Sequence, residues 1–213
     1  MAEHLTIWMG GFLVSLIFLS VLGLSINKRL FVVLIDSRGK MSLSRLQLSL
    51  WTILIVSTLF SVSITYNTMN IIIPTEIWAL MGISLGSAVS AGIAKGVKSV
   101  QEPSESFLNK NALTQNHIGL LHANTDIKNA KIIDIFKGDE VSEFEYIDIS
   151  KVQMFFFTLA AWMGYASTIY SYEFSDEAGL ITFPMLSTGI VTLIGVSHTG
   201  YIAIKASDKT PKK

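Results

Sequence analysis

Few side chains in this sequence are of a type and spacing that could carry out chemistry, and the histidines come first among them. His117 and His122 are five residues apart and Asp126 follows four residues later, whereas metal ligands on one helix are usually three or four residues apart. The sequence has no cysteine, which removes thiolate ligands and thiol nucleophiles. Walker-type glycine loops and the motifs Gly-x-Ser-x-Gly and His-Glu-x-x-His are also missing. We therefore predict no metal site, no cofactor and no enzymatic activity.

His198 is an ionisable side chain inside a long apolar run. Proton-coupled membrane proteins place such groups within the membrane, where they act as relays. A lone histidine in that position can equally be a hydrogen-bonding partner of a neighbouring helix. The sequence leaves both interpretations open, and His198 is a weak candidate for a functional residue.

Hydroxyl side chains follow one face of the second apolar run. Ser57, Ser61 and Thr65 recur every four residues, which is the spacing that the lining of an aqueous pore requires. Such hydroxyls also bond back to carbonyls of their own helix. The pattern predicts either a pore-lining stripe in an oligomer or a helix whose hydroxyls are satisfied locally.

The most specific pattern is an internal repeat. A motif of Ser, a basic residue, an apolar residue and Gln, with Thr five residues after the Gln, occurs twice. Its members are Ser44, Arg45, Gln47 and Thr52, and then Ser150, Lys151, Gln153 and Thr158. A second apolar run follows each copy and carries Gly-Ile-Ser at 82–84 or Gly-Val-Ser at 195–197. A two-helix unit therefore occurs twice, with Lys95 or Lys205 at its end, and an apolar run near Asp36 loosely mirrors 132–138.

The repeated motif has the chemistry of a helix start. Ser44 and Ser150, or Asp148 just before, can cap free backbone N–H groups. Gln47 and Gln153 lie one turn deeper, where an amide needs a partner, and pairing across the two units is one solution. The repeat is either a duplicated hairpin kept for packing, with the glutamines as clasps, or two halves that line a shared pathway.

Small residues mark the faces through which helices pack closely. One stripe contains Ser84, Ala88 and Gly92, a second contains Gly82 and Gly86, and the last apolar run has Gly195 and Gly200. Small residues at such spacing allow helix backbones to approach one another. Two small faces on one helix exceed what a single neighbour needs, so we predict a homo-oligomer.

The elements that must position these residues are apolar spans. Of the 213 residues, 50% are hydrophobic and 15% are charged, whereas soluble proteins carry about 25% charged residues. The runs 5–26, 46–65, 77–94, 152–172 and 181–203 approach the roughly 20 apolar residues that a bilayer-spanning helix needs. The sequence predicts an all-α polytopic membrane protein with about five transmembrane helices: one leading helix and two parallel two-helix repeats.

The basic residues predict the orientation. All 16 Lys and Arg residues fall in the segments 27–45, 95–151 and 204–213, which are the inner segments if the N-terminus is outside. The first run has no basic residue before it and no small-x-small cleavage pattern, so we expect a retained helix rather than a signal peptide. The expected units are 1–26, 27–96, the cytoplasmic connector 97–148, and 149–213 with its basic cytoplasmic tail.

The connector 97–148 is the candidate surface for a cytosolic partner. Its segment 131–138 reads as a short amphipathic stretch that can lie along the lipid headgroups, and the acidic residues after it form a candidate docking patch. The formal net charge is zero, and this removes the basic excess typical of direct nucleic-acid binding.

The paired motifs, at 42–52 with 80–84 and at 148–158 with 195–198, resemble a module of uncharacterised bacterial multi-pass inner-membrane proteins. The resemblance covers most of residues 30–205. It implies a prokaryotic inner-membrane setting and no mechanism. We expect a non-enzymatic scaffold or effector subunit that oligomerises and engages a cytosolic partner, by analogy with bacterial defence and stress-response systems. The alternative is a passive oligomeric channel lined by the Ser/Thr-rich second span.

Overall fold

A computed structural model describes residues 2–111, 116–175 and 179–213. The helices are α1 (Ala2–Asn27), α2 (Leu43–Tyr66), α3 (Thr75–Ser99), the short α4 (Glu105–Asn111), α5 (Ile149–Ser171) and α6 (Thr188–Ala206). Within the described residues, the five longer helices are long and apolar enough to cross a membrane. Even α6, with 19 residues, is about 28 Å long, which is close to the thickness of a bilayer core. The predicted all-α, five-span class is confirmed.

The helix ends follow from local sequence. Asp148 caps α5, because its carboxylate accepts the N–H groups of Ser150 and Lys151. Pro74 precedes α3, where a proline ring suits the start of a helix and its missing N–H costs nothing. At the end of α2 the chain turns through Asn67, whose φ of 50° is a left-handed conformation that asparagine tolerates.

The two repeats have the same plan. Each starts with a 3₁₀ turn, passes through a hairpin closed by a single β-bridge, and enters its first long helix. The 3₁₀ turns are Val32–Leu34 and Ile132–Phe136, and the bridges join Ile35 to Met41 and Lys137 to Ile147. In both repeats the residue before the helix donates its N–H at 2.8 Å to the last carbonyl of the 3₁₀ turn. The first repeat therefore spans 32–99 and the second spans 132–206.

Four short strands form two separate pairs within the described part of the chain. They are β1 (Ile71–Ile72), β2 (His117–Ile118), β3 (Leu121–His122) and β4 (Ile181–Thr182). The pair of β1 with β4 joins the two repeats, and β2 with β3 forms a hairpin in the connector. β1 follows α2 and β4 follows α5, and these two strands pair in parallel, with Ile71 opposite Ile181. Both hairpins therefore turn at the same end of the molecule and run in the same direction.

The four repeat helices form one bundle around a shared core. α2 contacts α3 and α5, and α6 contacts α3 and α5. Trp51, Leu80, Tyr165 and Ile194, one from each helix, are almost completely buried in it. α1 packs on the outside against α2 and has only 11% of its apolar window buried inside the protein, as expected of a helix that faces lipid.

One end of the bundle collects the positive charge. We name it the basic end: α2 and α5 begin there, α3 and α6 end there, and every Lys and Arg lies in its segments or in the adjoining helix turns. The opposite, acidic end includes Glu76 and Glu173. Two further acidic residues in the expected outer segments, Asp176 and Glu177, lie outside the described residues.

The connector covers the basic end closely. Gly119, at φ +58°, brings the β2–β3 hairpin against the end of α3, and the N–H of Leu120 donates to the Lys98 carbonyl at 3.0 Å. The side chains of Leu120, Leu121 and Ile135, all in the connector, are buried. The C-terminal tail pairs with the connector through a bridge between Pro103 and Lys212. The connector is thus part of the folded unit.

Candidate functional site: a buried charge network at the basic end

Asp139, in the connector, is the centre of a group of buried charged side chains. Its Oδ1 accepts hydrogen bonds from Arg38 Nη2 at 2.8 Å and from Lys151 Nζ at 3.0 Å, and its Oδ2 forms a salt bridge with Lys205. Arg38 precedes α2, Lys151 lies in the first turn of α5 and Lys205 in the last turn of α6. One carboxylate therefore joins the connector to both repeats.

Asp36 is the second carboxylate of this group. Its Oδ2 accepts from Arg38 Nη2 at 2.8 Å and from Lys95 Nζ, near the end of α3, at 2.6 Å. Arg38 thereby bridges Asp36 and Asp139. We call these six side chains the charge network: Asp36, Arg38, Lys95, Asp139, Lys151 and Lys205.

A neighbouring ion pair holds the C-terminal tail. Lys98 Nζ donates to Glu140 Oε1 at 2.5 Å and to the carbonyl of Ser207 at 2.6 Å. Glu140 Oε2 accepts the N–H groups of Lys209 and Thr210 at 2.9 and 2.6 Å. Because both charged side chains are buried and satisfied, this pair fixes the tail to the connector.

The carboxylates of the network stay ionised. Burial alone would raise the pKa of Asp139, but the positive charges around it, first Arg38 and then Lys151 and Lys205, outweigh burial and hold that pKa well below its ordinary value. Burial would likewise raise the pKa of Asp36, and Arg38 and Lys95 hold it well below its usual range.

Positive charge is nevertheless in excess. The network has four cations and two carboxylates. Lys40, which is 3% exposed, adds a further amine, and among the described residues it has no carboxylate within salt-bridge distance. Its Nζ lies 3.3 Å from His122 Nδ1.

The pKa values of Lys40 and His122 reflect this excess. Burial, and then the charge of Arg38, lowers the pKa of Lys40 to about 8. Burial, and then Lys40 and Arg38, lowers the pKa of His122 to about 4. His122 is thus neutral near pH 7 and can accept a hydrogen bond from Lys40.

A cavity of about 260 Å³ lies beside the network. Its lining includes Asp36, Arg38 and Lys95 from the network, Ser42, Ser44 and Arg45 at the start of α2, and Ala88, Gly92 and Gly96 of α3. Drug-sized ligands occupy roughly 300–1,000 Å³, so this space suits a smaller group. Guanidinium, ammonium and hydroxyl donors outnumber acceptors in the lining, and such a set binds anions.

The two copies of the repeated motif occupy different surroundings. Lys151 is buried in the network, whereas the matching Arg45 is exposed and donates to the Val33 carbonyl at 3.3 Å. Ser44 is buried, with its Oγ 3.3 Å from the Tyr201 hydroxyl oxygen, and Ser150 donates its hydroxyl to Asp148 at 2.5 Å.

The glutamines differ in the same way. Gln47 is 1% exposed and donates from Nε2 to Thr158 Oγ1 at 2.6 Å and to the Met154 carbonyl at 3.3 Å. Gln153 is exposed on α5. Gln47 thus joins the repeats through Thr158 rather than through the other glutamine. The buried face of α5 is offset by one residue from that of α2, since Lys151, Met154 and Thr158 occupy the places of Ser44, Gln47 and Trp51.

The small residues fall on two kinds of surface. Ser84 is buried, and Gly195 faces Ile83, where α6 packs on α3. Gly82, Gly86, Gly92 and Gly200 are exposed, and a Cβ at any of them would meet nothing within 4 Å. Ala88 is half-buried beside the cavity. α3 therefore packs with one face and leaves a glycine-rich face uncovered by the described chain.

His198 is 2% exposed on α6, and neither ring nitrogen has a hydrogen-bond partner among the described residues. The hydroxyls of Ser84 and Ser197 are also buried without a partner there. His198 lies outside the charge network, with which it shares no hydrogen bond or ion pair.

The hydroxyl stripe of α2 lies beneath α1. Ser57 and Ser61 are fully buried, Ser57 donates to the Ile53 carbonyl at 2.5 Å, and a Cβ on Gly11 of α1 would lie 3.6 Å from the Ser57 Cα. Thr65 is half-buried. A pore lined by this face would require α1 to move away.

The sequence motifs do not predict this network. The repeat pattern places Lys95 and Lys205 only at helix ends, and Asp36 only in a segment that loosely resembles 132–138. The useful signal is the position of the two carboxylates after the mirrored apolar runs: Asp36 directly follows Ile35, and Asp139 lies three residues after Phe136. A carboxylate at that point of each repeat meets the lysines with which the second helices end.

No group of three His, Asp or Glu side chains within the described residues could hold a metal ion. No family model, curated protein or solved structure matches the chain. Any functional conclusion therefore rests on the geometry of the basic end and of the helix faces.

Proposed function

We propose that the chain is a non-enzymatic scaffold or effector subunit of the bacterial inner membrane that assembles with copies of itself. The observation that supports assembly is the uncovered face of α3. Gly82, Gly86 and Gly96 are exposed there without a neighbour within 4 Å of a Cβ, while the opposite face already packs on α6. In lipid, close backbone approach through such small residues is a main source of helix association.

The assembly is tested by native mass spectrometry of the full chain in mild detergent, together with crosslinking in native membranes. Gly86→Leu places a large side chain on the uncovered face and is expected to shift the population to monomer. Gly164→Leu is the matched control, because Gly164 is also exposed on a long helix with nothing within 4 Å of a Cβ. A wild-type chain that is monomeric in both experiments would contradict the proposal.

We place the basic end in the cytoplasm, with the N-terminus outside and the C-terminus inside. The support is the collection of every Lys and Arg at that end, as the positive-inside rule requires. The chain has no cysteine, so single cysteines report sidedness directly. In intact cells a membrane-impermeant thiol reagent should label Tyr172→Cys and not Lys213→Cys. The reverse labelling would overturn the orientation.

We propose that the outer surface of the connector contacts a cytosolic protein. Tyr146 and Ile147 are 69% and 64% exposed there, although Asp139 and Glu140 turn inward into ion pairs. Crosslinking in native membranes should capture one defined partner with the wild type and lose it with Tyr146→Ser. Tyr172→Ser, at the acidic end, is the control. Equal capture of the partner by Tyr146→Ser and Tyr172→Ser would show that Tyr146 does not take part in the contact. A place in bacterial defence or stress response rests on analogy.

A further inference from the structure

The cavity at the basic end lies at the start of α2, and the matching position in the second repeat explains what it lacks. There, Asp148 precedes α5 and its carboxylate accepts the N–H groups of Ser150 and Lys151 at 3.0 and 3.4 Å. In the first repeat Ser42 takes that place and its side chain makes no capping bond. The first N–H groups of a helix have no partner within the helix. The start of α2 therefore has no side-chain cap of the kind that Asp148 gives α5.

The charged side chains around the cavity also favour the binding of an anion. Arg38 and Lys95 of the network line it, where Asp36 pairs with both and Asp139 pairs with Arg38. The exposed Arg45 adds a further cation, which has no carboxylate partner among the described residues. Arg38 is 3% exposed, so its charge is screened little by water. The hydroxyls of Ser42 and Ser44 supply neutral donors to the same space. An anion in this cavity would meet positive charge, hydroxyl donors and the positive end of the α2 dipole together.

We propose that this cavity binds a phosphoryl group, in the place that the Asp148 carboxylate occupies in the second repeat. The ligand is either the headgroup of a phospholipid or free phosphate, and both present the same tetrahedral anion. Arg45 and Lys95 hold its oxygens from two different helices, because one lies in the first turn of α2 and the other near the end of α3. The proposal goes beyond self-assembly and does not depend on it.

A second cavity makes a lipid source geometrically accessible. It has a volume of about 480 Å³, lies between α1 and α2, and is lined mainly by apolar side chains such as Val14, Phe18 and Leu48. Val33 also lines it, and the carbonyl of Val33 accepts the hydrogen bond from Arg45. Arg45 therefore connects the polar cavity to a groove of the size and polarity of an acyl chain.

The experiment uses the full chain, delipidated in a maltoside detergent that carries no phosphate. Thermal unfolding is followed while either inorganic phosphate or phosphatidic acid is titrated, with sodium chloride at equal ionic strength as the reference. Binding to the folded state raises Tm with ligand concentration. A rise with phosphatidic acid alone assigns the headgroup, and a rise with inorganic phosphate assigns a site for the free anion.

Three variants separate binding in the cavity from general charge effects. Arg45→Gln removes an exposed cation of the lining and should weaken the apparent affinity about tenfold or more. Gly92→Leu places a large side chain in the cavity without changing charge, because Gly92 lines the cavity and nothing lies within 4 Å of a Cβ there. Ser42→Asp supplies an internal carboxylate and should raise Tm without ligand while abolishing the response. Lys131→Gln is the control, since Lys131 is an exposed basic-end lysine outside the cavity.

The expected result is a response in the wild type and in Lys131→Gln, and its loss in the folded cavity variants. If neither titrant raises Tm above the chloride reference, the proposal is wrong. It is equally wrong if Arg45→Gln and Gly92→Leu respond as the wild type does. Because all these measurements are made on detergent-solubilised chains of any oligomeric state, failure here would leave the assembly proposal standing.

Discussion

The two repeats share a backbone plan but differ in the residues at the start of their first long helix. The second repeat carries its own anion, because Asp148 caps α5 and Asp139 binds Lys151 in the first turn of that helix. The first repeat begins with Ser42 and an exposed Arg45 beside a cavity. The same backbone plan therefore supports two different helix starts: the start of α5 is capped by a carboxylate, whereas the start of α2 has no side-chain cap and borders a cavity.

The largest test of this comparison removes the carboxylates of the network. Asp139→Asn leaves Arg38, Lys151 and Lys205 buried without their shared partner, and breaking a buried ion pair costs about 3–5 kcal/mol. Asp36→Asn releases only Arg38 and Lys95, so its effect should be smaller. The measurement is Tm and folded yield in detergent.

The control for the network variants is Asp208→Asn, which breaks an exposed pair with Lys212. It should change stability by less than about 0.5 kcal/mol. If Asp139→Asn were as mild as Asp208→Asn, the network would not hold the connector to the repeats.

The next effect concerns the two glutamines. Gln47→Ala removes the bond to Thr158 and leaves a void in a buried site, so we expect a loss of about 1–2 kcal/mol. Gln153→Ala, at the matching exposed position, should have almost no effect. Equal losses measured by thermal unfolding would show that the one-residue offset between the buried faces of α2 and α5 is wrong.

A smaller difference is expected at the caps themselves. Asp148→Ala removes the acceptor for two N–H groups of α5 and should cost about 1 kcal/mol. Ser42→Ala removes a side chain that makes no capping bond, so it should cost only a few tenths of that amount. Urea unfolding of both variants provides the measurement, and a larger loss for Ser42→Ala would reverse the comparison.

The sequence predicted the fold well because a bilayer imposes simple rules. Apolar length and the position of lysines define the spans, and the repeated Ser-basic-x-Gln motif locates the helix starts. The sequence could not predict which of the two basic side chains is buried, because Arg45 and Lys151 occupy the same position in the motif and differ only through their neighbours in the fold. The charge network could not be predicted for the same reason. Asp139 contacts Arg38 across 101 residues of chain, and neither composition nor local spacing indicates such a distant contact.

The smallest expected effect is a pH dependence that comes from His122, which lies beside Lys40 at the basic end. The pKa of His122 is lowered to about 4 by burial and then by Lys40 and Arg38, so between that value and its ordinary value the unfolded chain binds the additional proton. Stability must therefore fall as pH decreases from neutral toward about pH 5. Asp36 and Asp139 do not contribute in this window, because their stabilising effect is lost only below the ordinary pKa of a carboxyl group.

His122→Phe separates this effect, since it cannot take up a proton and can keep the stacking on Phe144, whose ring lies 4.0 Å away. The fall in Tm between neutral pH and about pH 5 should be smaller in the variant than in the wild type. An identical fall in both would assign the pH dependence to other groups. A reduced fall would show that the burial of a neutral His122 beside Lys40 and Arg38 contributes to the acid sensitivity of the fold.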